Sequence, residues 1–269
     1  MNFRGDTVLH PTDDMLSGPY PARPRALLAK ATVIVAGLTV FGGAGWGQSN
    51  EAQRCLSPGP SDAVITACTR LIDSGQLKPA EAGPAYLHRS AAERNQGQFD
   101  AALRDADVVL RLDPKSLDAY MVRGTIYGIK KDLDAAIRDF DVVLRLEPDH
   151  IEAHANRGAA YAQKHDIEAA LRDFDAVVRL EPRSSAAYYQ RGMAYRLAGR
   201  HDSAFQDFTT AVRLAPENAF ALTDLATCYL DGLGVEKDRK KGAELLDKAA
   251  QKGFAPAKEM LARLNPARP

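Results

Sequence analysis

The sequence of 269 residues has little of what builds catalytic or metal sites. It holds three cysteines, no Cys-X-X-Cys pair, and none of the HExxH, GxSxG, SxxK or phosphate-loop patterns. It also lacks an excess of one charge, because 35 Lys and Arg residues balance 35 Asp and Glu residues. We therefore expect no catalytic residues, no cofactor, no metal and no nucleic-acid partner.

Aromatic residues are also few, at 7% of the chain, while alanine is abundant. Most prolines outside the N-terminal stretch fall at regular points, which suits small helices packed closely together. With 45% hydrophobic and 26% charged residues, the chain has material for one or two globular units and does not have the composition of a disordered protein. The composition predicts an all-α fold.

The apolar run near the N terminus is short. Residues 31–41 carry no charge, basic residues precede them (Arg23, Arg25 and Lys30), and small residues follow. This order is typical of a secretory signal peptide, which we predict over residues 1–47. A membrane-spanning helix needs about 20 apolar residues, so we favour cleavage over retention as an anchor. The mature protein is then periplasmic or secreted, with no membrane span.

Export changes how the cysteines are interpreted. Cys55 and Cys68 follow the predicted signal and lie in a chain whose compartment permits disulfides, so a bridge between them is one interpretation. The alternative is that Cys68 is a small buried residue in the helical position that Phe140 occupies in a later segment. Cys228 has no partner, and we predict that it lies in the core.

A repeat of 34 residues is the strongest signal in the chain. It is clearest in four Arg-Leu-X-Pro segments, and Arg, Ala and Tyr residues recur in the same register. The prolines of these segments are Pro114, Pro148, Pro182 and Pro216. A fixed period of this kind predicts tandem copies of one supersecondary unit.

Each repeat has the pattern of two amphipathic helices. In residues 117–150, apolar residues recur at three-to-four-residue spacing over residues 118–130 and again over 134–146. Asp134 is expected to cap the second helix. Gly124 removes side-chain bulk where the helices approach, and Phe140 fills the space beside that contact. A hairpin of this size is too small for a core of its own, so neighbours must bury one another's faces.

These residues closely resemble the tetratricopeptide repeat, and the resemblance covers four units over residues 83–218. It implies an all-α, right-handed α-solenoid whose first helices line a concave surface and whose second helices form the outer wall. The first unit departs from the pattern, with Glu93 in place of a tyrosine and Ala106 in place of a phenylalanine.

The flanking segments are expected to close the stack. We predict that residues 48–82 form an N-terminal cap with a half repeat, in which residues 62–72 resemble a second helix whose partner is missing or degenerate. Residues 219–264 resemble a Sel-one-like repeat with a glycine-rich turn, followed by a closing helix from residue 256.

Arginine and aspartate also recur once per repeat. The arginines are Arg89, Arg123, Arg157 and Arg191, and the aspartates are Asp105, Asp139, Asp173 and Asp207. Their recurrence in every unit favours a structural ion-pair ladder over a charged binding site. His150 and His154 stand four residues apart, but with no third ligand apparent we favour packing over metal binding.

The concave surface implied by the resemblance is the candidate binding site. Projecting the first helices away from their buried faces places several apolar residues and one arginine there, a composition suited to an extended or helical peptide. The residues are Leu87, Met121, Ile129, Tyr189, Met193, Arg196 and Leu197. The alternative is that some of them only pack against the neighbouring unit.

We therefore expect a non-enzymatic protein-protein interaction scaffold of the cell envelope or secreted space, with a protein or peptide partner. One alternative is a structural protein that self-associates as a homo-oligomer. Another is an enzyme related to Sel-one-like proteins proposed to act on β-lactams, but those carry cysteine pairs in repeat after repeat, which this chain lacks.

Overall fold

The computed structural model describes residues 45–75, 77 and 79–264, and the predicted signal segment lies almost wholly outside them. All regular structure in the described residues is α-helical. The helices are α1 (Gly45–Leu56), α2 (Ser61–Asp73), α3 (Pro79–Asn95), α4 (Phe99–Leu112), α5 (Leu117–Ile129), α6 (Leu133–Leu146), α7 (Ile151–Gln163), α8 (Ile167–Leu180), α9 (Ser185–Leu197), α10 (His201–Leu214), α11 (Ala219–Asp231), α12 (Arg239–Gln251) and α13 (Ala255–Leu264). Within this part of the chain, no helix has the length and apolar character needed to cross a membrane.

The described residues divide into two compact units. We call residues 45–156 the N-terminal unit and residues 157–264 the C-terminal unit, with the division inside α7. In the N-terminal unit, the pairs α1 and α2, α3 and α4, and α5 and α6 form hairpins, and α2 contacts α3 while α4 contacts α5. In the C-terminal unit, α9 pairs with α10 and α11 with α12.

The first hairpin corrects the prediction of a half repeat without a partner. Helix α1 packs against α2 and supplies that partner. Cys55 of α1 and Cys68 of α2 form a disulfide, with 4.7 Å between their Cα atoms. Both cysteines are fully buried with Val64, Ala67 and Leu71. Sequence comparison missed α1 because it does not follow the apolar pattern of the later first helices.

Side-chain caps set where the helices begin. Ser116 caps α5 by accepting a hydrogen bond from the backbone N–H of Ala119 at 3.3 Å. Asp132, with Lys131 before it in the left-handed region at φ 64°, caps α6 by accepting from the N–H of Ala135 at 3.1 Å. The predicted cap Asp134 is wrong, because α6 begins one residue earlier than the sequence indicated and Asp134 lies in its first turn.

A glycine allows the two helices of a hairpin to approach, as predicted. A Cβ atom added at Gly124 would lie 2.9 Å from Cε1 of Phe140. The same contact recurs in the C-terminal unit, where a Cβ at Gly192 would lie 2.8 Å from Cε1 of Phe208. Both phenylalanine side chains are buried, so they have no room to move away. The recurring glycine and phenylalanine are therefore one packing unit.

The C-terminal unit has a core that extends through its successive hairpins. Phe174 of α8, Met193 of α9, Phe208 of α10 and Cys228 of α11 are buried in one cluster. The predicted core position of Cys228 is confirmed. Helix α13 packs against α12 and buries Ala257 beside residues of α11 and α12, so it covers the apolar surface of the last hairpin.

Candidate peptide-binding surfaces

The seven predicted site residues fall into two sets, one in each unit. In the N-terminal unit, Leu87 and Met121 are partly buried, and Met121 packs beside Val143 of the second helix α6. Ile129, at the C-terminal end of α5, keeps 37% of its surface exposed. Of this set, Ile129 is therefore the residue with the largest apolar surface available to a partner.

In the C-terminal unit, three predicted residues meet around an aspartate that sequence reasoning missed. The hydroxyl of Tyr189 donates to Oδ2 of Asp224 at 2.7 Å, and Nη1 of Arg196 lies 3.3 Å from Oδ1 of the same carboxylate. Nη2 of Arg196 also contacts Sδ of Met193 at 3.2 Å. Tyr189 and Arg196 are thus held by partners within the unit, while Leu197 remains 44% exposed.

Met193 corrects the prediction. Only 1% of its surface is exposed, and it lies in the core cluster with Leu225 and Cys228 of α11. A helical projection indicates the direction in which a side chain points but not how closely the next first helix covers it. Met193 is therefore a core residue and not part of an open binding surface.

Asp224 had a weak signal in the sequence. The residues one, two, three and four repeats earlier at this position are neutral or weakly basic: Gln190, Asn156, Val122 and His88. An acid in this position occurs only in α11 among the first helices α3, α5, α7, α9 and α11. Its pairing with Arg196 explains why an arginine can lie with only 15% of its side chain exposed.

The buried network also changes the acidity of two neighbours. Burial, with the Asp224 carboxylate as a further contribution, raises the pKa of Tyr189, whose phenol keeps its proton as the donor in the hydrogen bond. Burial raises the pKa of the Cys228 thiol to about 11, again with a smaller contribution from Asp224. A thiol with such a pKa is protonated at neutral pH and is a poor nucleophile.

The recurring arginines and aspartates form the predicted ladder. In each hairpin, the arginine of the first helix donates two hydrogen bonds to the aspartate of the second, as between Arg123 and Asp139 at 2.8 and 2.7 Å. The third donor group of Arg123 reaches Asp107 of the preceding second helix at 2.7 Å. Asp139 is buried, so the pair is a structural contact rather than a ligand site.

The two histidines also have structural roles. Nδ1 of His150 accepts a hydrogen bond from the backbone N–H of Ala153 at 3.2 Å, which caps the start of α7. Nε2 of His154 contacts the carbonyl oxygen of Pro148 at 2.8 Å, as the hydroxyl of Tyr120 does with Pro114 at 3.3 Å. Among the described residues, no group of three or more His, Cys, Asp or Glu side chains is placed to hold a metal ion.

Glu93 is the most poorly compensated charge in the N-terminal unit. It is 7% exposed, and its Oε1 lies 3.9 Å from Nε of Arg89, which already pairs with Asp105. Its Oε2 has no hydrogen-bond partner among the residues that the structure describes. Burial raises the pKa of Glu93 to about 6, the Asp105 carboxylate adds to this, and Arg89 and Arg104 oppose it.

This raised pKa predicts a pH-dependent stability. The folded chain holds the Glu93 proton up to about pH 6, whereas an unfolded glutamate loses it near its model value of 4.5. Protonation therefore stabilises the fold at low pH, and this contribution, about 1 to 2 kcal/mol, is lost as the pH rises through 6. The variant Glu93→Gln is expected to become increasingly more stable than wild type between pH 4.5 and 7 in urea unfolding. A stability difference that stays constant over this range would contradict the assignment.

The described residues define a helical-repeat protein, in which hairpins of two helices recur along the chain and pack in series within each unit. The tetratricopeptide repeat family matches residues 91–151 and 156–219. The hairpins of these two segments are tetratricopeptide repeats, as the sequence predicted. The family match ends at residue 219, so the Sel-one-like character of the last hairpin stays a prediction.

Solved tetratricopeptide structures are similar in fold. MamA from residue 41 to its end, from Desulfovibrio magneticus RS-1, is 24% identical with a TM-score of 0.57, and the match covers 66% of this chain and 97% of that chain. YrrB, described as a TPR protein with an unusual peptide-binding site, is 24% identical with a TM-score of 0.56, over 74% of this chain and 96% of that chain. TTC0263, a thermophilic TPR protein of Thermus thermophilus, is 20% identical with a TM-score of 0.53, over 68% and 99%.

No curated protein matches the chain. The solved structures and the described helices confirm the predicted fold class, which is all-α and built of tetratricopeptide-type hairpins stacked in series.

Proposed function

We propose that this chain is a non-enzymatic protein-interaction scaffold that binds peptide segments on its first helices. The observation that carries the proposal is that Ile129 and Leu197, two repeats apart at the same position, are 37% and 44% exposed at the ends of first helices. A branched or unbranched aliphatic side chain kept at one exposed position in both units is costly to leave in water and suits burial by a partner.

The comparisons support this proposal by analogy. A peptide-binding site is described for YrrB, which shares the hairpin fold at 24% identity. That site is a property of YrrB. For this chain, the fold supplies rows of first helices, and the side chains on them decide what is bound.

We extend the proposal to the compartment and to the last hairpin. The apolar run after basic residues near the N terminus is typical of an exported protein, and the disulfide between Cys55 and Cys68 suits an oxidising envelope or secreted space. The turn between α11 and α12 contains Gly232 and Gly234 at φ 75° and 72°, in keeping with a Sel-one-like turn. A side chain at Gly234 would collide with the carbonyl group of His201.

The role of Ile129 can be tested with the full chain and a displayed library of random 12-residue peptides. Ile129→Ser is expected to weaken the binding of peptides selected on wild type by about tenfold. Covering the exposed part of this side chain contributes on the order of 1 to 1.5 kcal/mol. Isothermal titration with two or three selected peptides measures the change.

Leu146 offers a matched control. It is 43% exposed, similar to Ile129, but lies at the end of the second helix α6. Leu146→Ser is expected to change peptide affinity less than twofold. Equal losses for both variants, or the selection of no peptide above background, would contradict peptide binding on the first helices.

A further inference from the structure

Arg94 stands apart from the other paired arginines of the first helices. It lies in the last turn of α3, seven residues after Leu87 and therefore on nearly the same helical face. Its side chain is partly buried, and its hydrogen bonds run from Nε and Nη2 to Oδ1 of the neighbouring Asn95, at 3.4 and 3.1 Å. Among the described residues, no carboxylate pairs with it.

Each of the other arginines in these helices has an acid. Four pair with the aspartates of the ladder, and the fifth, Arg196, pairs with Asp224. Arg196 stands three repeats after Arg94 at the same repeat position, so the two residues compare one position with and without an acidic partner. Burial lowers the pKa of Arg94, because no nearby carboxylate offsets the loss of water around the guanidinium group.

The surroundings of Arg94 leave room for a ligand. One repeat further on, its equivalent is Gly128 of α5, where an added Cβ atom would meet nothing within 4 Å. The next residue is the exposed Ile129. Helices α3 and α5 contact one another within the N-terminal unit. A cation without an acid, a floor without side chains and an exposed aliphatic residue therefore belong to neighbouring first helices.

We propose that the first helices α3 and α5 bind a partner segment that carries an aspartate or glutamate close to an apolar side chain. The carboxylate pairs with Arg94, and the apolar side chain covers Ile129. A planar guanidinium group with free donors suits a carboxylate, which can accept two parallel hydrogen bonds. This inference rests on the proposed peptide-binding function and specifies the chemistry of the peptide.

The library of random 12-residue peptides tests this directly on the full wild-type chain. Selected peptides are expected to be enriched in Asp or Glu within about four positions of Leu, Ile, Val, Phe or Met. For one such peptide, Arg94→Ala is expected to lower affinity at least tenfold, a loss of about 1.4 kcal/mol. Arg145→Ala, which removes an exposed arginine from the second helix α6, is expected to have less than a twofold effect.

A double-mutant cycle separates a direct pair from an indirect effect. Replacing the acid of the peptide by its amide is expected to weaken binding to wild type tenfold and to leave binding to Arg94→Ala unchanged. Arg94→Glu is expected to bind the peptide with lysine in place of the acid better than the original. Circular dichroism confirms that each variant is folded.

The outcomes are distinguishable. Peptides that bind without an acidic residue and tolerate Arg94→Ala, yet weaken with Ile129→Ser, would overturn this inference and leave the proposed function standing. Arg94 would then be a solvated residue near the negative end of a helix dipole. If no peptide is selected, both the inference and the proposed function are overturned.

Discussion

Truncating Phe174 to alanine is expected to lower the free energy of unfolding by about 3 to 5 kcal/mol. The ring is fully buried in α8, and a Cβ atom added at Gly158 would lie 3.0 Å from its Cε1 atom. The hairpin therefore loses both the buried apolar surface and the group that fills the space beside the glycine. Because a typical domain has a margin of roughly 5 to 15 kcal/mol, urea unfolding followed by circular dichroism should show a large fall in the midpoint.

Two further truncations place this result. Met193→Ala is expected to cost about 2 to 4 kcal/mol, because Met193 lies in the same buried cluster. The exposed Leu197, four residues later on α9, is the control, and Leu197→Ala is expected to cost less than about 1 kcal/mol. A loss for Met193→Ala as small as that for Leu197→Ala would contradict the core position of Met193 and restore it to the candidate binding surface.

Repetition explains why the hairpins could be predicted from the sequence. Each structural requirement appears several times at one spacing, so the glycine at 124 and the phenylalanine at 140 can be interpreted with the help of their counterparts. The closing helix was predicted from residue 256 and begins at Ala255. Helix ends were less predictable, because a cap depends on which of two nearby aspartates, Asp132 or Asp134, meets the first free N–H groups.

The candidate site was less predictable because it depends on where repeats differ. Met193 was placed on the surface because the projection of α9 does not include the residues of α11 that cover it. Asp224 and Arg94 are single departures from the repeat, and one sequence does not indicate whether a charge finds a partner in space. The structure makes that distinction, since Arg196 has an acid at 3.3 Å and Arg94 has an amide.

The ladder gives the second large expected effect. Arg191 donates to Asp207 at 2.8 and 2.9 Å and to Asp175 at 2.9 Å, and Asp207 is only 5% exposed. Arg191→Met keeps much of the side-chain volume but leaves the buried Asp207 carboxylate without its cation. We expect a loss of about 3 to 5 kcal/mol at pH 7, measured by urea unfolding.

The exposed pair between Arg200 and Glu168 is a matched control for this substitution. Their side chains are 49% and 62% exposed, so water already solvates both charges. Arg200→Met is expected to cost less than about 1 kcal/mol, because exposed ion pairs contribute little. The contrast between Arg191 and Arg200 therefore measures the effect of burial on one type of ion pair in one unit.

A double variant shows where the loss arises. If the cost of Arg191→Met comes mainly from the stranded Asp207 carboxylate, then Arg191→Met combined with Asp207→Leu is expected to recover at least about 1 kcal/mol relative to Arg191→Met alone. The leucine removes the buried charge and fills a similar volume. Strict additivity of the two losses would mean that arginine and aspartate act independently, and the ladder would then not be the contact that holds the two helices of each hairpin in register.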